Sequence, residues 1–152
     1  MTQEEKQLLL KDLCARLPYG VKLGFKNSDL ILAPKEFNIY TMQLSTVQIY
    51  PESDSMVIGH VYDVWNYRPY LRPMSSMTVE EKKELKSATC PEGTGYFDEQ
   101  YLICPMSHFG EYISYDFMSD ILNWLNAHHF DYRGLIPIGL ALEALEGMYK
   151  TE

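Results

Sequence analysis

The sequence lacks an excess of positive charge, a metal-ligand spacing, a long apolar run and a disulfide framework, and each absence removes a class of function. Among 152 residues, 13 are Lys or Arg and 21 are Asp or Glu, for a net charge of −8. Nonspecific nucleic-acid binding draws its affinity from cations that neutralise phosphates, so a nucleic-acid partner is not expected. The imbalance is one-sided. Residues 1–73 carry eight Lys+Arg and eight Asp+Glu, whereas residues 74–152 carry five and thirteen. The acidic half is read as a solvated surface or a face for a basic protein partner.

Three cysteines, Cys14, Cys90 and Cys104, are too few and odd in number for a disulfide scaffold. Cys90-Pro91 and Cys104-Pro105 read as small apolar residues near strand ends that stay reduced. The longest apolar stretch, Leu135 to Leu145, is interrupted by Pro137, Gly139 and Glu143. It falls short of the ~20 residues of a membrane helix, so no membrane association is expected. The start, Met1-Thr2-Gln3-Glu4-Glu5-Lys6, is polar and acidic, unlike a secretory signal. The expected location is the cytoplasm.

What is present is enough apolar material for a core: 46% hydrophobic and 13% aromatic residues. A chain of this length buries roughly 68–70% of its unfolded surface and needs no metal or disulfide to fold. The expected organisation is one domain over 1–152, divisible into a β-rich lobe (1–73) and an acidic helical lobe (74–152).

The pattern predicts an α+β fold. Thr2 and Glu5 form a capping box, and Leu10, Leu13, Cys14 and Leu17 at helical spacing predict a helix over 3–16 with that face buried. Val21, Leu23 and Phe25 alternate with Lys22, Gly24 and Lys26 as in a strand, followed by a turn at Asn27-Ser28-Asp29 and a short strand at Leu30-Ile31-Leu32. From Phe37 to Ile49 the apolar parity flips near Tyr40-Thr41 and near Ser45-Thr46, which marks turns or bulges between short strands. A turn at 51–55 and a strand from Met56 to Trp65 complete a bent antiparallel sheet, whose closed form would be a small SH3-like barrel. Tyr67 to Pro73 reads as an extended connector.

In the second half, Thr78 and Glu81 form another capping box before a surface helix over 79–87. A loop over 91–95 and a short strand over 101–104 follow. Phe117, Ile121, Trp124, Leu125 and His128 lay one apolar stripe along a helix over 116–130. A turn at Asp131-Tyr132-Arg133-Gly134 then leads to a last helical run ending near Tyr149, so the chain is expected to end in an αα-hairpin.

Chemistry-bearing residues are sparse. His128 and His129 are adjacent, about 100° apart on a helix, and cannot both ligate one metal from it. Cys104 and His108 stand without the paired ligands of structural zinc. No metal and no cofactor is therefore expected. The candidate catalytic residues are His128, Asp131, Arg133, Cys104 and His108, with Asp131 also suited to cap the following segment and His128 to sit under Trp124. The aromatic–arginine group Tyr62, Trp65, Tyr67, Arg68, Tyr70 and Arg72 is the candidate binding surface, because these residue types dominate interface hot spots. The competing reading has the rings cementing the sheet to the helical half while the arginines pair with its acids.

Residues 70–78 (Tyr70-Leu71-Arg72-Pro73-Met74-Ser75-Ser76-Met77-Thr78) and residues 120–135, which contain Trp124-Leu125-Asn126-Ala127-His128-His129-Phe130-Asp131-Tyr132-Arg133-Gly134-Leu135, resemble a family of uncharacterised small proteins of gut anaerobes and their phages and prophages. The resemblance covers 25 residues and brings no catalytic role with it. It implies a mobile-element or phage-associated accessory protein. The chain departs from the family's pattern at Pro137-Ile138, where charged residues are expected, which bears on where the last helix begins.

Together these readings favour a non-enzymatic binding or accessory protein that acts through a protein interface, with a second protein or a second copy as partner. The alternative is a small enzyme with its site at the His128–Asp131–Arg133 turn.

Overall fold

A computed structural model describes residues 1–25, 28–48, 57–89 and 115–149. The capping box forms as the sequence predicts. The Glu5 amide donates to Thr2 Oγ1 at 3.1 Å and the Thr2 amide donates to Glu5 Oε2 at 2.6 Å, opening helix α1, Gln3–Arg16. The buried face differs from the expected one. Leu9, Asp12, Leu13 and Arg16 turn inward, whereas Cys14 is exposed. A charged pair at i,i+4 reaches the interior because its members satisfy each other: Arg16 Nε donates to Asp12 Oδ2 at 2.8 Å.

Among the described residues, six strands form one sheet in the order β4-β3-β2-β1-β5-β6. They are β1 (Leu23–Phe25), β2 (Ile31–Asn38), β3 (Gln43–Gln48), β4 (Val57–Asp63), β5 (Tyr67–Leu71) and β6 (Leu142–Glu143). The first five pair antiparallel, but β6 lies parallel to β5, which makes the sheet mixed. Among the described residues no pairing joins β4 to β6, so the sheet is open and no SH3-like barrel closes.

The parity flip near Tyr40-Thr41 is a real turn. Asn38 Oδ1 accepts from the Tyr40 and Thr41 amides at 3.0 and 3.1 Å, and Met42 takes the left-handed conformation at φ 53°. The flip near Ser45-Thr46 is not a turn. There β3 runs on, and its register with β4 shifts between Thr46 and Gln48.

The expected connector is the strand β5. Leu23 pairs with Pro69 between the hydrogen-bonded pairs on either side, so the proline's nitrogen faces away from β1. It faces the side where β6 begins only at Tyr70. Tyr67 packs with Leu9 and Leu13 of α1 in a core completed by Val21, Leu23, Leu32, Leu44 and Val64. Gly24 has no room for a Cβ, because Leu142 and Tyr70 pack against its backbone.

The second capping box opens α2 (Val79–Thr89): the Glu81 amide donates to Thr78 Oγ1 and the Thr78 amide to Glu81 Oε2. Helix α3 (Tyr115–Ala127) packs Ile121, Trp124 and Leu125 against Met77, Leu85 and Phe130. The side chain of Phe117 lies outside what is described.

The last helix of the expected αα-hairpin is absent. Residues 131–149 run through turns and β6, with Gly139 and Gly147 at φ 74° and 71°. Repeated left-handed glycines break a helix wherever they fall. Leu135, Leu140 and Ala141 instead pack with Leu71 in a further small core. The predicted turn at 51–55, the loop over 91–95 and the strand over 101–104 lie outside the described residues, as do Lys26 and Asn27.

Candidate functional site

The site is built where α3 stops. The Phe130 amide donates to the Leu125 carbonyl at 3.0 Å and the His129 amide to the Asn126 carbonyl at 3.1 Å. These two bonds define a Schellman ending, whose left-handed position usually belongs to glycine. Here it belongs to His129, at φ 59°. Histidine tolerates that conformation better than most residues but pays a steric cost glycine avoids.

His129 is buried, and its ring stacks on Tyr149 with centroids 3.9 Å apart. Burial first, and then the charges of Arg16, His128 and Lys22, push its pKa down to about 4, against the pull of the Tyr19 carbonyl. The imidazole is therefore neutral at pH 7. Among the described residues, its Nδ1 and Arg16 Nη1 are buried nitrogens without a hydrogen-bond partner.

Tyr149 reaches this point from the far end of the chain. Its hydroxyl accepts from the Lys22 amide at 2.8 Å and donates to the Tyr70 carbonyl at 2.9 Å. Burial raises its pKa well above the ordinary phenol value. Lys22 Nζ donates to the Met148 carbonyl at 2.6 Å and lies 5.6 Å from the Tyr149 ring centroid. Between these groups lies a cavity of about 340 Å³ lined by Tyr19, Lys22, Arg72, His128, His129 and Tyr149, among others.

His128 sits at the cavity but faces α3. Its ring stacks on Trp124 at 3.8 Å, Nδ1 donates to the Trp124 carbonyl at 2.9 Å, and Nε2 is 3.7 Å from Glu84 Oε1. Asp131 caps the turn that follows, with its two oxygens accepting from the Leu135 and Ile136 amides at 2.8 Å each. Arg133 Nη1 donates to Asp12 Oδ1 at 2.9 Å. Each member of the His128–Asp131–Arg133 turn thus has a separate partner, and the three do not converge on one point. Cys104 and His108 lie outside the described residues, as does Cys90.

The aromatic–arginine group is divided by the fold. Tyr67 is buried, its hydroxyl donating to the Leu44 carbonyl at 3.1 Å, and Tyr70 is buried as well. Arg68 donates from Nη1 to the Trp65 and Tyr67 carbonyls at 2.9 and 2.8 Å, and from Nε to the Gly139 carbonyl at 3.2 Å. Arg72 grips Glu81 with both η nitrogens at 2.6 and 2.9 Å and lies over the Phe130 ring. Burial alone would raise the Glu81 pKa, but Arg72 and the Thr78 amide reverse this and hold it below the usual value. Trp65 is half-buried with Lys6 Nζ 5.4 Å from its ring, and Tyr62 is 43% exposed against Phe25.

Sequence reasoning missed Tyr19, Lys22, His129 and Tyr149 as neighbours, since nothing local joins positions 22 and 149. It also missed the buried Asp12–Arg16 pair, for which the i,i+4 spacing was the available signal. Among the described residues no group of three or more His, Cys, Asp or Glu is arranged to hold a metal ion, and no helix is long and apolar enough to cross a membrane. The chain matches no protein-family model, no curated protein and no solved structure.

Proposed function

We propose that the protein is a non-catalytic binding protein that pairs with a second copy of itself through strand β4 and the β2–β3 hairpin tip. The observation that carries this reading is the exposed apolar material at one end of the sheet. Ile39 and Tyr40 at the tip are 62% and 96% exposed, and Val61 on β4 is 57% exposed. The tip and β4 are adjacent: the Val64 amide donates to the Met42 carbonyl, and Gln43 pairs with Asp63.

Among the described residues β4 has no neighbour on its outer side. Edge strands that stay single are usually guarded by lysine or proline, and the seven residues Val57-Ile58-Gly59-His60-Val61-Tyr62-Asp63 contain neither. Asp63, at one end, is the only acid in the strand, so two antiparallel copies would meet without a line of like charges. The same two-fold arrangement would place Val61 of each copy near the other's edge.

Sedimentation equilibrium tests the proposal. A dimer in the micromolar range that Val61→Lys converts to a folded monomer is the expected result. A wild-type chain that sediments as a monomer throughout that range would sink it. Hydrogen exchange gives a second reading, with protection of the β4 amides rising with protein concentration. A phage- or mobile-element-associated accessory role in the cytoplasm belongs to the same proposal, supported by the resemblance of residues 70–78 and 120–135. Phage genes flanking the coding sequence would support that setting, and housekeeping genes on both sides would count against it.

A further inference from the structure

The cavity at the end of α3 has features that neither the pairing of chains nor the stability of the fold requires. Its lining brings together Lys22, Arg72 and two imidazoles, and no Asp or Glu lines it among the described residues. Among the described residues, the two acids whose side chains pair with lining residues are already engaged. Glu81 is held by both η nitrogens of Arg72, and Glu84 accepts from Trp124 Nε1 at 3.3 Å. Among the described residues Lys22 has no carboxylate partner; of its three ammonium hydrogens, one goes to the Met148 carbonyl.

Two further details point the same way. Among the described residues the buried His129 Nδ1 has no hydrogen-bond partner, and an anion beside the ring would favour its protonation. His129 also occupies a left-handed position that glycine would fill without strain, so the imidazole stands in the cavity wall at a steric cost. The volume, about 340 Å³, is at the lower end of small-molecule sites, and Tyr19 and Tyr149 supply flat walls.

We propose that this cavity binds a small organic oxyanion, a carboxylate or a phosphate monoester, held by the Lys22 ammonium beside the ring of His129. A cation is the wrong occupant, because the lining offers ammonium and guanidinium groups and no carboxylate. The anionic head supplies the counter-charge that Lys22 lacks among the described residues, and the body of the ligand lies against the rings. The site is independent of strand β4 and stands whether or not the chain pairs.

The test is calorimetric titration of the full chain, in a chloride buffer, with benzoate, inorganic phosphate and adenosine monophosphate as probes. Saturable one-to-one binding of at least one probe is expected, weakened about tenfold or more by Lys22→Met and unchanged by Lys11→Met on the exposed side of α1. Benzoate alone would assign a carboxylate ligand, and the two phosphate probes alone a phosphate. Absence of saturable binding by all three, or equal affinity in wild type and a folded Lys22→Met, overturns the proposal. NMR of the wild-type chain gives a reading that needs no variant: the His129 ring should titrate well above pH 4 when the bound probe is saturating. A midpoint that does not move also overturns it.

Discussion

Arg16 Nη2 donates to the backbone carbonyl of Phe130 at 2.8 Å, joining the end of α1 to the turn after α3 across 114 positions of sequence. The same guanidinium bonds to Asp12, and Asp12 in turn receives Arg133 from beyond that turn. One buried carboxylate between two arginines therefore ties the first helix to the segment that carries the cavity.

Removing that carboxylate should be among the most damaging single changes. Asp12→Ala leaves Arg16 buried without its counter-charge, and breaking a buried pair in this way costs about 3–5 kcal/mol. Urea unfolding should show the loss as a lower midpoint. Lys11→Ala, one residue away and exposed, should stay within about 0.5 kcal/mol of wild type. Equal effects would mean that the Asp12 cluster adds nothing.

The Tyr149 hydroxyl replaces a ladder bond. Lys22 and Tyr70 face each other at the end of the β1–β5 pairing; one bond runs directly from the Tyr70 amide to the Lys22 carbonyl, and the other is relayed through the phenol. Tyr149→Phe keeps the ring against His129 but strands an N–H and a C=O. The expected cost is about 1–3 kcal/mol, with faster hydrogen exchange at the Lys22 amide. An unchanged exchange rate there would contradict the relay.

His129 makes stability depend on pH in a known direction. Its folded pKa of about 4 lies below the ordinary 6.5, because burial and the nearby charges of Arg16, His128 and Lys22 all oppose a further proton. The unfolded chain therefore binds this proton more readily. The resulting stability is fully present above pH 6.5 and is lost as pH falls toward 4, by up to about 3 kcal/mol. Carboxylates also titrate in this window, so the measurement is the difference between wild type and His129→Asn in urea unfolding at pH 7, 5.5 and 4. A constant difference across the three pH values would refute the assignment.

Much of the local structure could be read without coordinates. Thr2 with Glu5 and Thr78 with Glu81 marked two helix starts because a capping box needs only four consecutive residues. The stripe through Ile121, Trp124 and Leu125 marked α3 because helical geometry repeats every few residues. The apolar parity flip near Tyr40-Thr41 marked a turn or bulge, and the turn is closed by Asn38, whose side chain accepts from amides two and three positions ahead.

The buried face of α1 was not legible. The spacing pointed to Leu10, Leu13, Cys14 and Leu17, and only the arrival of Phe130 and Arg133 makes burial of Asp12 and Arg16 tolerable. The last segment misled in another way. Leu135 to Tyr149 has apolar spacing that suits a helix, yet it is drawn into turns and β6 by pairing with Tyr70 and Leu71, more than 70 positions earlier.

Sequence alone thus determined the caps, the turns and the helical stripe, all of which depend on residues within about one or two helical turns of each other. The tertiary structure alone decided which face of α1 is buried, how β5 and β6 pair, and that Lys22, Arg72, His129 and Tyr149 surround one cavity. Those choices turn on contacts between segments far apart in the chain, where many pairings satisfy the same local pattern and only complete packing separates them.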